Sequence, residues 1–206
     1  RGAARKAART LGIRYSLSCF IVAHLGGGIS IGAHRRGKVV DVINALDGEG
    51  PFSPERAGRI PLLPLLDLLD KGHVPMEGLR AKVLTQGGLY AHLGTNDLRQ
   101  AEARMDAGDE HAALIFQALA YNIAKEISSL LPVFATGAGG SDLSAVVLTG
   151  GMARSERLVE AVRARMAFGA PVLAITGLEE MEVLADGAAL ALSGQVPVNE
   201  YQGDAK

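Results

Sequence analysis

The sequence predicts an α/β domain in which a three-strand antiparallel meander is followed by alternating helices and strands. Two observations support this prediction. Three short apolar runs with very short links lie near the start of the chain, and amphipathic and buried stretches alternate in the rest. The composition agrees, because 206 residues with 48% hydrophobic and 21% charged residues are typical of a globular protein.

The meander is predicted at residues 19–25, 29–34 and 38–43, which are rich in apolar and β-branched residues. Links of three residues join these runs, and links this short connect antiparallel neighbours. The next segment, residues 44–61, is rich in Gly and Pro, which excludes regular structure. Loops of that length are often functional.

Helices and strands alternate beyond this loop. Helices are predicted at residues 61–70, 75–84, 97–106, 109–131, 155–166 and 179–192. Buried strands are predicted at residues 143–151 and 171–176. A meander followed by strand, helix, strand and helix is the order of a ribonuclease H-like sheet, the half-unit of the actin, sugar kinase and Hsp70 superfamily.

Composition also excludes several functions. A net charge of −1, 4% aromatic residues and no Trp give no basic field or stacking platform for nucleic acid. The apolar stretches are too short or too interrupted to span a membrane, and we expect no signal peptide. Cys19 is the single cysteine, so we expect no disulfide framework and a cytoplasmic protein.

Two glycine-rich turns carry the first functional signal. IVAHLGGGIS (residues 21–30) places three glycines between strands, and VVLTGGMARSERL (residues 146–158) places two where a buried strand meets a helix. Bare backbone lets an anion approach N–H groups, and a helix start adds partial positive charge. Either turn alone is equally explained as a tight connection. Because both fall in one predicted sheet, we expect a nucleotide-binding cleft, although not a P-loop, whose spacing is absent.

Four stretches resemble the butyrate kinase branch of the acetate kinase family. They are IVAHLGGGIS, VVDVINALDGEGPFSPERAG (residues 39–58), LGTNDLR (residues 93–99) and VVLTGGMARSE (residues 146–156). The segment DGEGPFSPER within the second stretch is characteristic of this branch. The resemblance implies an enzyme that transfers a phosphoryl group between ATP or ADP, with Mg²⁺, and a short carboxylate such as butyrate, forming an acyl phosphate.

The resemblance also implies roles for individual residues. His24, Gly26, Gly27 and Gly28 match the family's second phosphate-binding turn, with His24 beside the transferred phosphoryl group. An imidazole bonded to a neighbouring carbonyl is the alternative for His24. Arg56 matches an arginine that holds the phosphoryl group, a role that suits a planar guanidinium.

Two further segments match the family's adenosine contacts, and one acid matches its metal site. The adenosine contacts are Asp97, Leu98, Arg99, Gly150, Gly151 and Met152. Glu180 matches an acid near Mg²⁺, but Glu179 is adjacent, and a Glu at a helix start is equally explained by the helix dipole.

The chain departs from the family pattern in its extent. Acyl kinases have two such domains facing a cleft, and the first domain's N-x-G-S phosphate loop and catalytic aspartate have no match here. We therefore expect residues 1–17 to form a helical lead-in from a first domain, residues 18–195 to form the C-terminal, nucleotide-binding half, and residues 196–206 to form a tail. The isolated half is expected to be inactive and to form a homo-oligomer.

Two other interpretations stay open. One is an acetate or propionate kinase, with the same chemistry and a smaller pocket. The other is a remnant without activity that binds a nucleotide or only dimerises.

Overall fold

A five-stranded sheet forms the centre of the computed structural model, which describes residues 1–72, 75–137, 139–166, 169–177 and 180–198. Its strands are β1 (Cys19–Leu25), β2 (Ile29–Arg35), β3 (Lys38–Ile43), β4 (Ala145–Thr149) and β5 (Val172–Ile175). The order across the sheet is β3-β2-β1-β4-β5. Pairing is antiparallel from β1 through β3 and parallel from β1 through β5. The predicted meander and mixed sheet are therefore confirmed.

Helices flank the sheet. They are α1 (Gly2–Thr10), α2 (Leu62–Asp70), α3 (Met76–Leu84), α4 (Gly88–Leu93), α5 (Leu98–Asp106), α6 (Glu110–Ser129), α7 (Glu156–Arg163) and α8 (Glu180–Leu192). The sequence did not predict α4, because the glycine pair at its start, the N-cap Gly87 and the first residue Gly88, is typical of a turn. Helix α6 ends earlier than predicted, and a 3₁₀ turn at Leu131–Phe134 follows it.

Two apolar clusters hold the layers together. The larger cluster packs one face of β1, including Ile21 and Leu25, against the buried face of α6, including Leu119 and Ile123. The smaller one packs the other face of the sheet against the alanine-rich side of α1. Side chains alternate between the faces of a strand, so neighbouring residues of β1 serve different clusters. The strand is therefore buried on both faces and is fixed in place at the centre of the sheet.

Helix α2 is a contrast, because none of its residues is buried. Its leucines are largely exposed, at 65% for Leu62 and 73% for Leu63. Within the described part of the chain, no helix has the length and apolar character needed to cross a membrane.

Candidate functional site

The candidate site lies where β1 and β4 end side by side. His24 pairs with Thr149 in the parallel register, so the turn at residues 26–28 and the turn at Gly150 and Gly151 are neighbours. Ligands of open α/β sheets commonly bind beyond the carboxyl ends of the strands. The two glycine-rich turns that the sequence singled out therefore lie at one edge of the sheet.

Side chains approach the first turn so closely that a residue larger than glycine would crowd or collide with them. A methyl group on Gly28 would lie 2.5 Å from Nη1 of Arg56, and one on Gly26 would lie 3.1 Å from Nε2 of His24. None of the three glycines has a left-handed φ. The bare backbone expected for a bound anion is thus also required by the packing of Arg56 and His24.

Ser53 joins the loop that carries Arg56 to this turn. Its side chain is fully buried, and Oγ donates to the carbonyl of Gly27 at 2.5 Å. The same oxygen accepts the backbone N–H of Arg56 at 3.1 Å. Helix α4 closes the arrangement, because Leu89 N donates to the Ser53 carbonyl at 3.0 Å. Gly88 has φ +57 and lies so close to that carbonyl that any side chain would collide with it.

Arg56 presents an uncommitted cation at the turn. Its guanidinium makes no hydrogen bond or ion pair with the described residues, whereas Arg59, three positions along the same loop, donates to Glu126 at 3.0 Å. Glu126 lies on α6 and is only 5% exposed. The Arg59 side chain is thus largely exposed and yet pairs with a buried carboxylate.

A cavity of about 640 Å³, here named cavity A, unites most of the predicted nucleotide contacts. Of the predicted residues, its lining includes Gly26, Gly27, Asp97, Leu98, Arg99, Gly151 and Met152. These residues come from three separate segments of the chain. Cavity A is completed by Pro54, Glu55, Asn96, Glu102, Arg154 and Ser155.

Asp97 organises the helix-start side of cavity A. Its Oδ1 caps α5 by accepting the N–H of Arg99 at 2.9 Å, and both carboxylate oxygens accept from the Arg99 side chain. These hydrogen bonds lower the pKa of the Asp97 carboxyl and raise the pKa of Arg99. The ion pair with Asp97 holds the Arg99 guanidinium, and because the side chain is 88% exposed it stays open to a ligand. Leu98 and Met152 are mostly buried and contribute apolar surface.

A second cavity of about 580 Å³, cavity B, adjoins cavity A and shares Gly151 and Arg154 with it. His24 and Gly150 line cavity B but not cavity A. The His24 imidazole is exposed and makes no hydrogen bond with the described residues, which does not match the alternative of a carbonyl-bonded ring. Gly150 has φ +93, and a methyl group there would lie 2.6 Å from the Leu25 carbonyl oxygen. Gly151, by contrast, faces open space.

Not every predicted residue lines a cavity. Gly28 and Arg56 line neither one and cover each other at the rim of the turn. The side chain of Glu180 and the whole of Glu179 lie outside the described residues, so the predicted metal acid is not located. Across the described ranges, no three His, Cys, Asp or Glu side chains cluster as a metal site.

Several lining residues were missed from the sequence. Glu55 and Asn96 are joined by a hydrogen bond of 2.8 Å across the mouth of cavity A. Arg154 borders both cavities and has no ion pair with the described residues. Its place directly after the second glycine turn was the one available signal, whereas the pairing of Glu55 with Asn96 depends on the fold.

The sheet order, with two glycine turns and a lined cavity at the carboxyl ends of β1 and β4, matches the ribonuclease H-like fold of the actin and sugar kinase superfamily. The model of the Acetokinase family matches residues 3–184. The chain belongs to this family.

Relatives support the same assignment. A "Probable butyrate kinase" of Oleidesulfovibrio alaskensis is 54% identical, over 98% of this chain and 56% of the relative. One of Maridesulfovibrio salexigens is 49% identical, over 99% of this chain and 56% of the relative. The chain thus spans about half the length of the curated relatives it matches. A crystal structure of Porphyromonas gingivalis acetate kinase shares the fold, with TM-score 0.78 and 24% identity over 91% of this chain and 52% of that protein.

Proposed function

We propose that this chain is the nucleotide-binding half of a short-chain carboxylate kinase. The reaction is phosphoryl transfer between ATP or ADP and a carboxylate, with butyrate as the acceptor, and the reverse reaction makes ATP. The observation that carries the proposal is cavity A, in which a glycine turn, a charged helix start and an apolar floor from distant segments meet. The names of the relatives supply the carboxylate.

In this proposal the phosphates lie along the glycine turn and adenosine lies toward α5. The N–H groups of Gly27 and Gly28 donate no hydrogen bond within the described part of the chain, so they are free for phosphate oxygens. Adenosine would contact Leu98, Arg99 and Met152, with the open face of the guanidinium against the base.

The chemical step requires little covalent chemistry from the protein itself. In phosphoryl transfer, catalysis comes from holding the reactants in line and neutralising charge on the transferring group. Arg56 suits this task because its guanidinium has no partner among the described residues and its backbone N–H is anchored on Ser53 Oγ. His24, exposed in cavity B beside the same turn, is proposed to contact the transferring group from the other side.

Mg²⁺ is proposed to arrive with the nucleotide. Proteins commonly bind this ion through one or two carboxylates together with phosphates and water, so a cluster of several protein ligands is not required. Cavity A offers the carboxylate of Glu55, whereas that of Glu102 accepts from the Ser155 hydroxyl. When bound, Mg²⁺ would neutralise phosphate charge.

The carboxylate pocket is proposed to need a second domain, which the longer relatives have room for. We assign residues 1–17 to the connection with that domain, residues 18–195 to the nucleotide-binding half and residues 196–206 to a tail. The enzyme is proposed to act in the cytoplasm, in keeping with the single free thiol of Cys19. The exposed leucines of α2 are proposed as contact surface in a homo-oligomer.

A hydroxamate assay for acyl phosphate tests the proposal. The isolated chain is compared with an enzyme that joins it to the first domain of the Oleidesulfovibrio alaskensis relative. We expect acyl phosphate only from the two-domain enzyme, with kcat/KM highest for butyrate among acetate, propionate and butyrate. A two-domain enzyme that folds and binds ATP but phosphorylates none of these acids contradicts the function. Equal rates from the isolated chain contradict the division between domains.

A further inference from the structure

The carboxylate of Glu55 lies beside the glycine turn to which the proposed function assigns phosphate groups. A methyl group on Gly27 would lie 3.3 Å from Oε2 of Glu55, and both residues line cavity A. A carboxylate in this position repels a phosphate bound at the same turn. The location of Glu55 is therefore unfavourable for a bare nucleotide and needs an explanation.

Three hydrogen bonds hold Glu55, two through its backbone and one through its carboxylate. The backbone N–H of Glu55 donates to the Gly27 carbonyl at 3.3 Å, and its own carbonyl accepts from Gly87 N at 2.8 Å. The side-chain amide of Asn96 donates to Oε1 at 2.8 Å. This bond holds Oε1, and Oε2 is the oxygen that lies nearer the turn.

No described cation neutralises Glu55. Its carboxylate has no ion pair with the described residues, because Arg56 turns to Gly28 and Arg99 pairs with Asp97. Oε2 also accepts no hydrogen bond from the described part of the chain. An oxygen of this kind beside a phosphate site matches the way Mg²⁺ is commonly held, between a carboxylate and phosphates with water completing the shell.

We propose that Glu55 makes cavity A selective for a nucleotide that carries a divalent cation. The inference rests on the proposed function, since it requires phosphates at the glycine turn. Glu55 repels the metal-free nucleotide and attracts the cation of the complexed one. Metal and nucleotide binding are therefore coupled through this side chain. The coupling can be measured by binding alone, without the chemical reaction.

Calorimetric titration of ADP into the chain, once with EDTA and once with excess Mg²⁺, measures this coupling. We expect the wild-type chain to bind ADP about tenfold more tightly with Mg²⁺, a typical size for coupled sites. Glu55→Gln keeps the shape and the acceptor for Asn96 but removes the charge. It should bind metal-free ADP more tightly than wild type does and MgADP less tightly, so that the ratio falls toward one.

Glu102→Gln is the matched control, because Glu102 lines the same cavity but its carboxylate already accepts from the Ser155 hydroxyl. It should keep the wild-type ratio. If Glu55→Gln weakens both titrations equally, or leaves the ratio unchanged, Glu55 has only a structural role and the inference is wrong. A wild-type chain that binds ADP in neither buffer overturns the proposed function, and the inference with it.

Discussion

The two histidines of the β1–β2 hairpin show how differently the two ends of the sheet are built. His34, paired in register with the start of β1, is 4% exposed, and its Nδ1 lies 2.9 Å from the Tyr15 hydroxyl. His24, near the other end of the hairpin, is exposed and has no hydrogen bond with the described residues. Polar groups with satisfied partners stabilise the fold, whereas uncommitted ones are available to a ligand.

The same contrast holds within the loop at residues 44–61. Arg59 pairs with the buried carboxylate of Glu126, while the guanidinium of Arg56 lies against Gly28 of the glycine turn. Two arginines three positions apart therefore have separate duties. Arg59 secures the loop to α6, and Arg56 is left free for an anion.

The largest expected effect comes from Arg56→Ala in the two-domain enzyme. Charge redistributes most at the transferring phosphoryl group, so an arginine there acts mainly in the transition state. We expect kcat to fall about 10³-fold, as for arginines that stabilise phosphoryl transfer, with the KM for ATP nearly unchanged. Steady-state kinetics measure both constants, and added guanidinium ion should restore part of the rate.

Arg99→Ala is the control for this prediction, since adenine does not change during the reaction. It should raise the KM for ATP by about tenfold and keep kcat, as expected for uniform binding. The reverse pattern in the two variants, or full kcat in Arg56→Ala, would contradict the assignment of Arg56 to the reacting group.

A smaller effect, on stability, is expected from Arg59→Ala. Removing Arg59 leaves the buried carboxylate of Glu126 without its ion-pair partner. The loss of stability is reduced because the Arg59 side chain is largely exposed to solvent. We expect the free energy of unfolding in urea to fall by about 2 kcal/mol. Arg56→Ala, measured in the same way, should change it by less than about 0.5 kcal/mol. Equal losses of unfolding free energy in the two variants would mean that the two arginines do not differ in their roles.

The smallest effect concerns pH. Burial, followed by the positive charges of the amino terminus and Arg1, lowers the pKa of His34 from 6.5 to about 4. In the unfolded chain His34 becomes protonated below about pH 6.5, whereas in the folded chain it does so only near pH 4. The free energy of unfolding therefore falls as the pH falls through this window. Between pH 7 and pH 5 we expect a loss of about 1 kcal/mol from this group.

The His34→Asn variant should lose most of this slope when urea denaturation is repeated across the pH range. His24→Asn, at the open end of the same hairpin, is the control and should keep the wild-type slope. A slope that survives in His34→Asn would assign the proton uptake to another group and weaken the contrast between the two ends.

Much of this architecture could be predicted from the sequence because it is encoded locally. The apolar runs predicted β1, β2 and β3, and the two glycine turns predicted the edge at which the site lies. Helix α4 could not be predicted, since it begins at two glycines and is held by distant contacts, such as Tyr90 N to the Pro54 carbonyl. Glu55 was missed for the same reason, because its side chain is held at the cavity by a hydrogen bond from Asn96, 41 residues away.

The central claim is that the open end of the sheet binds an adenine nucleotide. Titration of the ¹⁵N-labelled chain with MgADP, followed by amide chemical shifts, tests it most directly. We expect progressive shifts of Gly26, Gly27, Leu98 and Gly151, with His34 at the closed end unmoved. No shifts at saturating MgADP, or shifts centred on His34 instead of the glycine turns, would contradict the account.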